Sequence, residues 1–288
     1  MKFLLRNHQT QFHLETGSVD DLRRLIEVVK SWRPDAIVHL AANVDVASLF
    51  RNPFRAFKDN VESTLNVFES ARLFDVKRVL YFSSIGVLPP IRYEPLDAAH
   101  PFILPRNGPG SGAYGAAKAS GELFSFAYQQ AFGLDVRIIR PSAVYGFGMP
   151  WHSANYMKQF VEPAVRGEEV RLESGGALRR DYTHVEDVAT LAAALLAAPD
   201  DVDRVFYAAT GQPLVTATEA AALVAELVPG ARIAISDFLT FDDEVEASFR
   251  GVISIESART QLGWSPRYAS LREGIEEYIR TYRSYLAD

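Results

Sequence analysis

The stretch RVLYFSS, residues 78–84, packs four apolar residues together and closes on two serines. An unbroken apolar run of this kind fits a strand buried on both faces, as in a parallel sheet. Two runs of the same texture flank it, DAIVHLAA at 35–42 and DVRIIRPS at 135–142. Stretches of helical spacing lie around and between them. Leu22, Leu25, Ile26 and Val29 share one face over 18–32, and Phe57, Val61, Leu65 and Phe68 do so over 53–75. A third helix is expected over 113–132. Strand and helix in alternation predict right-handed βαβ units and a doubly wound α/β sheet.

The composition sets limits. The chain has 288 residues, 48% of them hydrophobic and 23% charged, enough for a sizeable core. Thirty Lys and Arg against 36 Asp and Glu leave a net charge of −6, which argues against a nucleic-acid partner. Without cysteine there is no disulfide, thiolate metal site or cysteine nucleophile. The opening MKFLLRNHQT has only a three-residue apolar run, too short for a signal peptide. No apolar run approaches the roughly 18 residues of a membrane span. A soluble cytoplasmic protein without a membrane partner is expected.

Beyond residue 150 the texture loosens. The expected division is a sheet domain over 1–150 and a smaller lobe over 151–288, with a segment near 180–210 returning to the sheet. Helices are expected at 154–166, 184–197, 216–228 and 270–286, and a strand at 204–210. The acidic FDDEVEAS at 241–248 reads as a solvated loop.

GSGAYGAAKASGE, residues 110–122, carries the chemistry: Tyr114 and Lys118 stand one helical turn apart among very small residues. Ligands of a parallel sheet sit at the carboxyl ends of its strands, where RVLYFSS leaves Ser84. A tyrosine hydroxyl titrates near 10, too high for a base at neutral pH. A nearby ammonium, helped by an oxidised nicotinamide, favours the phenolate. Tyr114 then takes a proton from a substrate hydroxyl as hydride leaves the carbon, and Ser84 orients the oxygen. The small neighbours are read as room for a ligand. Gly110, Gly112 and Gly115 satisfy Gly-x-Gly-x-x-Gly literally, but no strand leads into them, so they are not read as a dinucleotide loop. His39 reads as a packed core histidine and His184 as a local cap. Trp151 and His152 are candidates to line a substrate pocket.

HLAA (39–42), NVESTLNVFESAR (60–72), FSSIGVL (82–88), YGAAK (114–118), RPSAVYG (140–146) and RRDYTHVEDVA (179–189) occur in an order and spacing that resembles the extended short-chain dehydrogenase/reductases, specifically the NAD-dependent epimerase/dehydratase family. The resemblance covers nearly the whole chain. It implies a Rossmann-like fold, NAD as cofactor with NADP as the alternative, and a sugar or nucleotide-sugar substrate. Ser84, Tyr114 and Lys118 match the family's catalytic trio. Leu40, Ala41, Ala42, Asp59, Asn60 and Ser142 match cofactor contacts, and Ser18 stands where the family often has an adenine-binding aspartate. Arg180 matches an arginine that grips a nucleotide-sugar phosphate, with Arg250 a candidate second. The resemblance also implies a homodimer, formed through the helices at 53–75 and 113–132.

Departures accompany the match. The family opens with a strand, a glycine-rich loop and a helix; here KFLLRN (2–7) reads as its second strand and FHLETGSVDD (12–21) as its third with its loop. An internal start within a longer protein is the preferred explanation; a natural truncation, or completion by another chain, are the others. Arg6 is the feature that would favour NADP. Ala143 replaces a substrate-binding asparagine, and Ile85-Gly86 supplies no acid/base pair for a dehydratase. A smaller sugar acid, lactone or polyol therefore stands beside the nucleotide sugars. The function expected is hydride transfer by an epimerase or dehydrogenase; the alternative is a non-catalytic relative that binds a sugar-like ligand without cofactor.

Overall fold

In the computed structural model, which describes residues 12–149 and 156–288, the three flanking runs become parallel strands. Asp21 caps α1 (Leu22–Trp32) by accepting from the Arg24 amide, and the helix leads into β1 (Ala36–His39). Two short helical turns, Val46–Arg51 and Pro53–Ala56, and one π turn at Phe57–Glu62 precede α2 (Ser63–Leu73). Then come β2 (Arg78–Phe82), α3 (Gly112–Phe132) and β3 (Asp135–Pro141). β2 pairs in parallel with both β1 and β3, with Val38 opposite Leu80 and Tyr81 opposite Ile138.

The second half alternates short strands and helices. β4 (Ala143–Tyr145), α4 (Met157–Arg166), β5 (Glu169–Leu172), β6 (Arg179–Arg180) and β7 (Tyr182–His184) lead to α5 (Val185–Ala197). β8 (Val205–Ala208) rejoins the main sheet beside β3, giving the order β1-β2-β3-β8. β9 (Val215–Thr216), α6 (Ala217–Leu227), β10 (Arg232–Ile235), α7 (Phe241–Ser248), α8 (Glu256–Leu262) and α9 (Leu271–Ala287) complete the chain.

Alternation along β2 builds two cores. Val79 and Tyr81 face α1 and α2, packing with Val29, Val67 and Phe68. Leu80 and Phe82 face the opposite way, onto Val188, Leu191 and Leu195 of α5 and Trp264. This is the two-sided burial that an unbroken apolar strand requires. A third core joins β4, β7, α4, α6 and α9 around Tyr145, Phe160 and Tyr278.

Two expectations fail. Residues 12–18 form no strand: the segment is held to the outside of α1, where Arg24 bonds the Glu15 carboxylate (2.6 Å) and the Thr16 carbonyl (3.1 Å) and Trp32 donates to Glu15. Among the described residues no strand lies outside β1 for it to join. FDDEVEAS is helix α7, not a loop, because Thr240 and Asp243 form a capping box at its start. KFLLRN, Arg6, Trp151 and His152 lie outside the described residues.

Candidate active site

Tyr114 lies on the first turn of α3 and Ser84 just beyond β2, near enough for the Ser84 hydroxyl to oppose the upward shift of the phenol. Ser84 Oγ also accepts from the Gly86 amide at 3.0 Å, which fixes its rotamer. Lys118, one turn on and 3% exposed, donates Nζ to the Phe82 carbonyl at 2.7 Å. Its ammonium sits 5.2 Å from the Tyr81 ring centre and 6.0 Å from that of Tyr114. Burial pulls the Lys118 pKa down to about 8, with Glu122 pulling the other way. Burial pushes the Tyr114 phenol up, opposed by the nearby Ser84 hydroxyl, so Tyr114 is protonated at neutral pH in this state.

The small residues around the pair serve packing as well. A Cβ at 115 would lie 2.2 Å from the Gly86 carbonyl oxygen, and one at 121 would lie 2.4 Å from Tyr81 Oη. These two glycines press α3 against the β2 end; they do not open space for a ligand. The helix must come this close for Tyr114 to reach Ser84.

Behind the trio lies a cluster that sequence reading missed. Arg140, on β3, meets Glu122 through Nε (3.0 Å) and Nη2 (2.8 Å), and Tyr207 Oη takes Nη1 at 2.9 Å. Ser83 Oγ donates to the same carboxylate at 2.5 Å. The cluster therefore ties β2, α3, β3 and β8 together directly beside Ser84 and Lys118. Its signal was present: a glutamate one turn past Lys118, and an arginine inside an apolar strand.

The expected cofactor residues gather at the β1 end. Leu40, Ala41 and Ala42 follow the strand, with Leu40 61% exposed. Asn60, buried, clamps the loop by accepting from Asn43 N (2.7 Å) and donating to Asn43 O (2.9 Å). Asp59 accepts from Asn43 Nδ2 at 2.7 Å, and this bond first, then Arg55, holds its carboxyl below the usual range. Both side chains thus position the loop. Ser142 Oγ donates to the Asp181 carbonyl at 3.0 Å. Ser18 is exposed in the turn before α1, and no hydrogen bond joins its side chain to this group among the described contacts. A buried ammonium with the hydroxyls of Ser84, Tyr114 and Ser142 fits the ribose and nicotinamide half of a dinucleotide. Among the described residues no glycine-rich strand-to-helix turn provides a pyrophosphate cradle.

Arg180 is not presented as an open side chain. It is 2% exposed and its Nε and Nη2 bind both oxygens of Glu246 at 2.8 and 3.0 Å. His39, also buried, bonds Thr64 Oγ1 at 3.0 Å, and His184 caps α5 by accepting from the Glu186 amide.

The chain and its fold have counterparts in known proteins. A UDP-glucose 4-epimerase from Mycolicibacterium smegmatis is 28% identical over 275 residues, covering 90% of this chain and 80% of that protein. An uncharacterized protein of Methanocaldococcus jannaschii is 32% identical over 188 residues, covering 64% of this chain and 54% of its own. The chain spans about half the length of the first curated relatives it matches. Among solved structures, the UDP-glucose 4-epimerase of Thermotoga maritima with UDP-glucose superposes with a TM-score of 0.77 at 26% identity, covering 94% of this chain and 84% of that one. The pattern of the NAD dependent epimerase/dehydratase family matches residues 3–209, and the chain belongs to that family.

Proposed function

We propose that the chain is an NAD-dependent epimerase or dehydrogenase of a sugar or nucleotide sugar, with Tyr114 as base, Lys118 beside it and Ser84 orienting the substrate oxygen. The observation that carries this reading is the placement of Tyr114 beside Ser84 with the buried Lys118 ammonium one turn behind, held by the Phe82 carbonyl. NAD, when bound, accepts hydride from the substrate carbinol carbon. Ser84 donates to the hydroxyl oxygen and Tyr114 Oη receives its proton. Burial alone keeps Tyr114 protonated, so positive charge must gather at the phenol before it acts as a base. Lys118 stands with its pKa near neutrality and can hold that charge.

Family membership weighs against the cofactor-free alternative. Among the described residues no helix is long and apolar enough to cross a membrane, and we place the protein in the cytoplasm. Phe50, Phe54, Phe57 and Leu123 are exposed on and around the helices expected to pair, which supports a homodimer; a monomeric sedimentation profile at micromolar concentration breaks that part.

The test is turnover of UDP-sugars, free sugars and sugar acids with NAD, read by reduced nicotinamide and by epimeric product. Tyr114→Phe is expected to lower kcat by about 10²–10⁴ while tryptophan quenching still reports NAD binding. Undiminished turnover in that variant breaks the assignment.

A further inference from the structure

The substrate lobe contains an anion seat that is already filled. Arg180, on β6, grips both Glu246 oxygens, and Arg250, just past α7, gives Nη2 to the same carboxylate at 2.6 Å. Two guanidinium groups share the Glu246 carboxylate, and the Asp181 carboxylate lies within electrostatic reach of Arg250. Among the described residues, Arg180 Nη1 and Arg250 Nε and Nη1 are buried with no hydrogen-bond partner. The Tyr182 hydroxyl, buried close to Arg180, makes no hydrogen bond of good geometry with it, and the Arg180 guanidinium lies over the Tyr156 ring at 4.7 Å. Asp181 feels the Arg250 charge, but its oxygens are taken by Thr183 Oγ1 (2.7 Å) and by Thr210 Oγ1 (2.5 Å) and N (3.0 Å). Buried donors are rarely left unpaired, so several in one cluster ask for a reason.

The seat adjoins the reacting groups. Gly110, on the loop entering α3, lies against the Phe249 ring, where an added Cβ would come within 2.0 Å. Phe249 precedes Arg250, so the end of α7 rests on the loop that delivers Tyr114. Burial works against the Glu246 carboxylate, yet Arg250 and Arg180 outweigh it and hold its pKa below the ordinary value. Glu246 is therefore an anion at neutral pH. The fork with which Arg180 meets it is the geometry arginine also uses for phosphate.

We propose that Glu246 is a specificity-determining residue whose carboxylate fills the seat between Arg180 and Arg250, so that the substrate is a free sugar or sugar acid and not a nucleoside diphosphate sugar. The inference rests on the proposed function and narrows its substrate class. A diphosphate arriving here meets a like charge or must expel Glu246. A neutral sugar, or one with a single carboxylate, meets less of that repulsion and finds the unpaired donors.

The experiment is calorimetric titration of the intact chain and of Glu246→Gln with UDP and with inorganic pyrophosphate at low ionic strength. Wild type is expected to bind neither tighter than millimolar. Glu246→Gln is expected to gain at least about tenfold in affinity, weakened by salt and abolished by adding Arg180→Gln. Micromolar UDP binding by wild type, or no gain in a Glu246→Gln variant with a cooperative melt, overturns the proposal. If that variant does not fold, the wild-type titration decides alone. Failure of the functional reading is separable. Tyr114-dependent turnover of a UDP-sugar overturns this inference and leaves the reaction intact. Absence of any turnover beside the expected titrations sinks the reaction only.

Discussion

Two arginine–glutamate clusters, the first one turn past Lys118 on α3 and the second at the end of α7, are built to different standards. At Glu122 and Arg140 the charges balance one to one, and Ser83 and Tyr207 complete the bonding. Neither residue is among the described side chains with an unpartnered buried atom. At Glu246 two arginines compete for one carboxylate, and three guanidinium nitrogens go without a partner. Burying charges is costly, and full hydrogen bonding is what offsets it. A completed cluster has done its work once the chain is folded. An incomplete one still has donors to give, which makes it a place for recognition.

Glu122→Gln should cost the most. It strands a buried Arg140 that is 1% exposed, and unfolding in urea is expected to show a loss of about 3–5 kcal/mol. Pyrophosphate at matched ionic strength should restore none of it. A loss below about 1 kcal/mol would mean that the cluster does not hold β2, α3, β3 and β8 together.

The same contrast explains what the sequence disclosed. β1, β2 and β3 were legible because burial on both faces writes an unbroken apolar run. Ser84, Tyr114 and Lys118 were legible because their spacing is local: a strand end and one helical turn. Glu122 was passed over because its partner Arg140 lies on another strand, and only the fold brings them together. Glu246 was hidden twice: the acidity of FDDEVEAS masked the capping box, and Arg180 lies 66 positions away. Residues 12–21 read as a strand and its loop by family order, yet Arg24 and Trp32 hold the segment to α1. Pairing depends on what lies alongside, which local texture does not encode.

Burial should likewise keep a proton off His39. His39 is 3% exposed beside Thr64, and burial first, then the Lys118 charge, lowers its pKa from 6.5 to about 4. Between those values the unfolded chain binds a proton that the folded chain refuses. Stability therefore falls as pH drops from 6.5 toward 4, by about 2 kcal/mol at roughly pH 5 relative to neutrality. Urea unfolding at the two pH values should show this loss, and His39→Gln should flatten it. An equal loss in the variant would assign the acid sensitivity to other groups.

The smallest effect is expected on the incomplete side, and it is the most discriminating. The Glu246 side chain is 18% exposed and that of Arg250 12%, so water screens their charges more than at Glu122. Glutamine at 246 keeps an oxygen for the guanidinium groups but removes the charge. The expected loss is about 1–2 kcal/mol, read from thermal or urea unfolding. What separates the clusters is the response to an anion. Pyrophosphate should restore Glu246→Gln, because it binds the folded state through the vacated seat and stabilises it by mass action. It should leave Glu122→Gln unchanged, since there the fold leaves no donor to spare. If both variants answer the anion alike, the unpaired donors at Arg180 and Arg250 are slack in the packing and recognition must lie elsewhere in the lobe.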